Sequence, residues 1–197
     1  MSVRPTDLPA TDLRDDALAL LGSWQAPNPA QEALRRQYVD YLTAHPSGVF
    51  REDRPHHVTA STLVLSADAS SVLLTLHAKA QRWFQFGGHL EPGDGSVLDA
   101  ASREAREESG LLLALDPVPV QLSDHEVPFC GTADASGAGV HHLDIRFLAI
   151  AAADAVHAVS EESLDVRWWP ADALPDPQED LVELVAHARR RLELGGG

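Results

Sequence analysis

The sequence predicts an α/β fold: strands forming a sheet, one helix set between them, another closing the chain, and a helical extension in front. Three observations lead there. Before Pro55, apolar residues recur every three or four positions; after it, short runs rich in Val, Leu and Thr are separated by turn residues; and a helix-like stretch interrupts those runs. With 197 residues, 44% of them apolar, the chain can bury one substantial core and little more. We therefore expect residues 1–54 to form an N-terminal helical extension and residues 55–197 the domain proper.

Taken in order, Leu13, Ala17, Leu20, Leu21 and Trp24 share one helical face between Asp12 and Trp24. Asn28-Pro29-Ala30-Gln31 supplies a cap, a proline for the first turn and a Gln to close a capping box. A second helix carrying Leu34, Tyr38, Tyr41 and Leu42 follows and ends near His45-Pro46. His57 to Leu65 and Ser71 to His77 read as strands about the turn Asp68-Ala69-Ser70. Gln121 to Val127, His142 to Ala151 and Asp165 to Trp169 are three more strands, with a Gly/Ala/Ser loop over residues 128–140. Asp176-Pro177-Gln178-Glu179 repeats the cap pattern before a closing helix with Leu181, Leu184, Val185 and Ala188, ending in Arg189, Arg190 and Arg191.

Acidic residues outnumber Lys and Arg by 30 to 15, a formal charge of −15, so most of the surface repels a nucleic acid polymer. A small phosphorylated ligand remains compatible, because a divalent cation among carboxylates inverts the sign that a phosphate meets. Cys130 is the only cysteine and has no internal disulfide partner. No run approaches the ~18 apolar residues of a membrane span. The N-terminus lacks the apolar middle of a secretory signal. The expectation is a cytoplasmic protein without membrane contact.

The chemistry concentrates between Gly87 and Leu111. Ser96, with Asp99 three residues on, starts a short helix and Gly110 stops it, which places Arg103 to Glu108 in its last turns. Glu104, Glu107 and Glu108 then stand at i, i+3 and i+4, with Cβ atoms about 5–6 Å apart on one face. Such crowding costs repulsion unless a cation sits among them, and hard, oxygen-seeking Mg²⁺ suits that place. Phe86-Gly87-Gly88 reads as a glycine-rich loop whose bare backbone lets a carbonyl serve as a further ligand.

At these residues the sequence resembles the Nudix family, whose signature is G-x5-E-x7-R-E-U-x-E-E-x-G-U, where U is a bulky aliphatic residue. The match runs from Gly88 to Leu111. Asp94 stands in place of the first signature Glu, Ala105 is smaller than the usual aliphatic, and eight residues rather than seven separate Asp94 from Arg103. The resemblance implies an α/β/α sandwich with a mixed sheet. It also implies hydrolysis of a diphosphate linkage in a small nucleoside-diphosphate-type molecule, with Mg²⁺ or Mn²⁺ as cofactor. By position, the carbonyl of Gly87 and the carboxylates of Glu104, Glu107 and Glu108 would hold metal, and Arg103 would orient the carboxylates. Gly88, His89 and Glu162 are the candidate substrate contacts. Glu107 is the candidate general base, with Glu161 or Glu162 as the alternative from a later loop. A non-catalytic binding or regulatory module of the same family is the second reading, and a homodimer is a further expectation. The apolar stripes of the N-terminal helices must be buried on the sandwich or on a second subunit.

His56, His57, His89, His125, His141 and His142 all fall near strand ends or on the glycine-rich segment, where several can face a pocket. Their spacing in sequence offers no HxxxH or Cys/His pattern of the kind that marks zinc sites. Trp83 and Phe84 read as packing residues, and Trp168-Trp169 as anchors of the last strand.

Overall fold

The structure is a computed structural model that describes residues 13–51, 56–127, 139–152, 155–157 and 163–195. Two helices come first, α1 (Leu13–Ser23) and α2 (Pro29–Ala44). The Asn28 side chain accepts the amide of Gln31 at 2.9 Å and caps α2, as the sequence implies. Gln31 does not close the capping box. Its amide reaches across instead and pairs with both backbone groups of Leu122, donating to the carbonyl at 3.0 Å and accepting from the N–H at 2.7 Å. A side chain thus satisfies the edge of a strand that, among the described residues, has no further neighbour.

The remaining elements are β1 (His57–Leu65), β2 (Ser71–His77), β3 (Arg82–Phe84), β4 (Phe86–His89), α3 (Val97–Ser109), β5 (Gln121–Glu126), β6 (His141–Ile150), β7 (Ser163–Pro170) and α4 (Glu179–Gly195). The sheet runs β3-β2-β1-β6-β5, with β4 paired to β1 and β7 to β2. It is mixed: β1 and β6 are parallel over nine register pairs, while the other strand pairs are antiparallel. β3 and β4 escaped the sequence reading, and the segment expected as a glycine-rich loop is the strand β4. Glycine is depleted in strands, so propensity conceals it there. The closing helix also runs past its arginines to Gly195.

Helices cover both faces. On one, Leu13, Ala17, Leu21 and Trp24 of the α1 region and Tyr38 and Leu42 of α2 pack with Val97, Ala100 and Ala101 of α3 against Val58, Ala60, Ile145 and Phe147. Trp24 also donates its indole N–H to the carbonyl of Pro119 at 2.7 Å. On the other face, Leu181, Leu184, Val185 and Ala188 of α4 cover Leu63, Leu65 and Leu148. Because strand side chains alternate, the face that carries Leu63 and Leu148 also carries His57, Thr59, Ser61, His142, Asp144 and Arg146. α4 covers its apolar part, and the polar part floors a cleft of about 1090 Å³ to which α2 adds Ala30, Gln31 and Leu34. Among the described residues, no helix is long and apolar enough to cross a membrane.

Candidate functional site

Helix α3 carries the acidic side chains to the cleft. Its start is fixed by Ser96, whose hydroxyl accepts the Asp99 amide at 3.0 Å. Its end is fixed by Gly110, left-handed at φ 71°, whose N–H returns to the Arg106 carbonyl at 2.8 Å. Val97, Ala100, Ala101 and Ala105 are buried on one side of the helix, and the small Ala105 allows close packing with Phe86. That seating brings α3 against β4 and β1. Glu108 is buried and accepts the backbone N–H of Gly87 at 3.2 Å. Glu104 lies directly against Gly88: a Cβ at that position would stand 2.6 Å from its carboxyl carbon. Gly87 faces the opposite way, where a Cβ would meet Ser61 Cβ at 2.3 Å. The two glycines therefore admit different neighbours, one the helix carboxylate and the other the floor of the sheet.

Arg103 is the hub of this region. It grips Asp94 through two hydrogen bonds of 2.9 and 3.0 Å, donates to the His89 carbonyl at 2.9 Å, and reaches Glu104 at 2.9 Å and Glu107 at 3.3 Å. The hydrogen bonds to Asp94, opposed by burial and reinforced by Glu104, raise the guanidinium pKa further, so Arg103 remains a cation. Asp94 also accepts the Glu91 amide at 2.8 Å, closing the turn between β4 and α3. A shorter acid in place of Glu and one additional residue in this loop therefore still leave a carboxylate locked to Arg103. The donor set of Glu104, Glu107 and Glu108 beside a side-chain-free Gly88 is all oxygen, which fits a hard divalent cation. Glu107 keeps about half of its side chain in solvent.

The cleft joins these carboxylates to the polar face of the sheet. There Asp144 accepts from Thr59 at 3.0 Å, Ser61 at 2.8 Å and Arg146 at 2.8 Å, while Arg146 also donates to Gln121 at 2.9 Å and Asp180 at 2.7 Å. Burial alone would raise the pKa of Asp144, but Arg146, His125 and the Ser61 hydroxyl together outweigh it and hold the carboxyl below its ordinary range. The sequence reading missed this network. Its signal was the period of two in His57-Thr59-Ser61, Gln121-Ser123-His125 and His142-Asp144-Arg146, which marks a polar strand face.

Four histidines extend that face. The rings of His57 and His89 lie 5.0 Å apart, those of His57 and His142 4.8 Å, His89 and His142 5.1 Å, and His125 and His142 5.6 Å. Burial, with His57, His89 and His125 close by, pushes the His142 pKa down to about 3; burial also lowers that of His125. His56 and His141 pair apart from this group, 5.3 Å ring to ring, and His141 meets Asp124 at 2.6 Å. Trp83 and Trp169 meet edge to face at 5.2 Å beneath α4 as packing residues, whereas Phe84 borders the cleft. Gly87, Gly88, His89, Arg103, Glu104, Glu107 and Glu108 all border that one cleft. Glu161, Glu162 and Cys130 lie outside the described residues.

Solved structures of similar fold include a NUDIX-family hydrolase from Clostridium perfringens, with TM-score 0.54 and 22% identity over 68% of this chain and 96% of that one. The E. coli dihydroneopterin triphosphate pyrophosphohydrolase aligns with TM-score 0.54 and 19% identity over 67% and 92%. The NUDIX domain of Shewanella oneidensis NrtR, solved with ADP ribose, aligns with TM-score 0.55 and 21% identity over 78% and 97%. No curated protein matches the sequence significantly. The profile of the NUDIX domain matches residues 55–190, from just before β1 into α4, and the chain belongs to the Nudix family.

Proposed function

We propose that the protein is a metal-dependent pyrophosphohydrolase that cleaves a diphosphate linkage in a small nucleoside-diphosphate-type molecule by attack of water. The observation that carries this reading is the full set of Arg103, Glu104, Glu107 and Glu108 on the border of one cleft, with Glu104 and Glu108 seated against the backbone of Gly88 and Gly87. A non-catalytic module has no need to keep four charged side chains in this arrangement. Glu104, Glu107, Glu108 and the Gly87 carbonyl would hold Mg²⁺ or Mn²⁺, which when bound neutralises charge on the diphosphate oxygens and makes water more acidic. Arg103 fixes the carboxylates in place. Glu107, the most open of the three, accepts the proton as the water oxygen bonds to phosphorus, and the bridging P–O bond breaks with its oxygen leaving on the second phosphate. Gly88 and His89 border the cleft beside these groups and would face the phosphates, and Glu162, just ahead of β7, is the third proposed substrate contact.

The test is a screen of the purified chain with Mg²⁺ and Mn²⁺ against nucleoside di- and triphosphates, ADP-ribose, dinucleoside polyphosphates and nucleotide sugars. Phosphorus NMR would follow the products. Turnover of at least one class is expected, reduced at least ~100-fold by Glu107→Gln with the melting temperature preserved. Binding without turnover would favour the non-catalytic module, and equal activity in Glu107→Gln would overturn the assigned site.

A further inference from the structure

Sequence spacing does not connect His57, His89 and His142, but strand register does. The parallel β1–β6 ladder sets His57 opposite His142, and the antiparallel β1–β4 ladder sets His89 opposite Thr59, two residues along β1 on the same face. Ligand nitrogens from the three rings all lie within 4.8 Å of one another, the only such group of three His, Cys, Asp or Glu side chains among the described residues. The rings do not stack in parallel: their planes meet at 35°, 62° and 89°.

We propose that His57, His89 and His142 form a second metal centre, on the floor of the cleft, that takes a borderline-soft divalent ion of the Zn²⁺ type. Three imidazoles without a carboxylate are a poor match for Mg²⁺, which prefers oxygen, and a good match for zinc and its neighbours. Zinc–nitrogen bonds of about 2.0–2.1 Å require nitrogens about 3.3 Å apart in a tetrahedron, a contraction that small side-chain rotations supply. The ligands come from three adjacent strands, so the backbone holds them in place before any ion arrives. Neutral imidazole is the ligating form. His57 is fully buried, whereas His89 and His142 border the cleft, which leaves the fourth coordination position facing the same space as the carboxylates. An anionic oxygen that approaches His89 would then also meet the ion. The centre stands on the histidine geometry alone, whether or not the carboxylate site turns over diphosphates.

The chelator-treated full chain, titrated calorimetrically with Zn²⁺ in millimolar Mg²⁺, tests the centre. One zinc per chain at micromolar affinity or tighter is expected, weakened at least ~100-fold in His89→Gln and His142→Gln and unchanged in Glu107→Gln. X-ray absorption at the zinc edge of the wild-type complex should show imidazole scattering, a readout that needs no variant to fold. Zinc binding that disappears in Glu107→Gln but persists in His89→Gln, an oxygen-only shell, or no zinc uptake in the presence of Mg²⁺ would each overturn the proposal.

Discussion

A strand sends successive Cβ vectors to opposite faces, so neighbouring glycines answer to different constraints. Alanine at Gly87 would drive its methyl to 2.3 Å from Ser61 Cβ and 2.7 Å from Ser61 Cα, atoms that cannot step aside. Gly87→Ala should cost about 1–3 kcal/mol in denaturant unfolding. The atoms nearest to an alanine methyl at Gly88 are instead the far end of the Glu104 side chain, at 2.6 Å, which can rotate away from it. Gly88→Ala should therefore keep its unfolding midpoint while turnover falls, and the reverse pattern would contradict the assignment of faces. Asp144 is governed by burial of another kind. Asp144→Asn leaves the buried Arg146 guanidinium under-compensated, and the loss expected is about 3–5 kcal/mol in the same assay. These residues were unevenly legible. Glu104, Glu107 and Glu108 announce themselves because a helix makes i, i+3 and i+4 neighbours within one segment. Asp144 and Arg146 draw their meaning from Thr59, Gln121 and Asp180, which lie far away along the chain.

At the level of elements, those with strong local signals are the ones the sequence declares. Asn28-Pro29, Ser96 and Gly110 cap their helices as their side chains and backbone preferences require. The turn between β1 and β2 is similarly local: the Asp68 carboxylate accepts the Ser66 hydroxyl at 2.6 Å and the Ser70 hydroxyl and amide at 2.8 and 3.0 Å. The Ser66 hydroxyl first, then Ser70, holds the Asp68 pKa down to about 2. A carboxylate with a depressed folded-state pKa stabilises fully above its unfolded value near ~4 and loses that contribution as pH falls toward the folded one. Asp68→Asn should thus flatten the stability loss measured by thermal melts between about pH 4 and pH 2, with a small amplitude because the site is exposed. β3 and β4 carry no comparable label. Three residues are too few for periodicity, and Phe86-Gly87-Gly88 has the composition of a turn although β1 requires it as a strand.

For the molecule as a whole, the N-terminal helices complete the sandwich. Leu21, Tyr38 and Leu42 are fully buried against the sheet, and Gln31 seals the open edge of β5. Removing residues 1–50 would uncover that apolar face. We expect the truncated chain to aggregate or to lose its cooperative melt, and a soluble truncation with unchanged melting temperature and sedimentation would refute this. That both stripes must be buried follows from the sequence; that they pack on the α3 side of the sheet, with the start of α2 also bordering the cleft, depends on contacts between α1, α2 and the sheet that no local pattern encodes. The central ladder carries a further consequence, for the rate of folding. β1 and β6 pair in parallel across some 85 residues of chain, and every pair in that ladder must wait for a large loop to close. Helices form in about a microsecond, but sheet topologies dominated by distant contacts reach the native state in about milliseconds to seconds. The histidine row and the Asp144 network both span this ladder, so the floor of the cleft takes shape only at that late closure, however early α3 and its glutamates become helical.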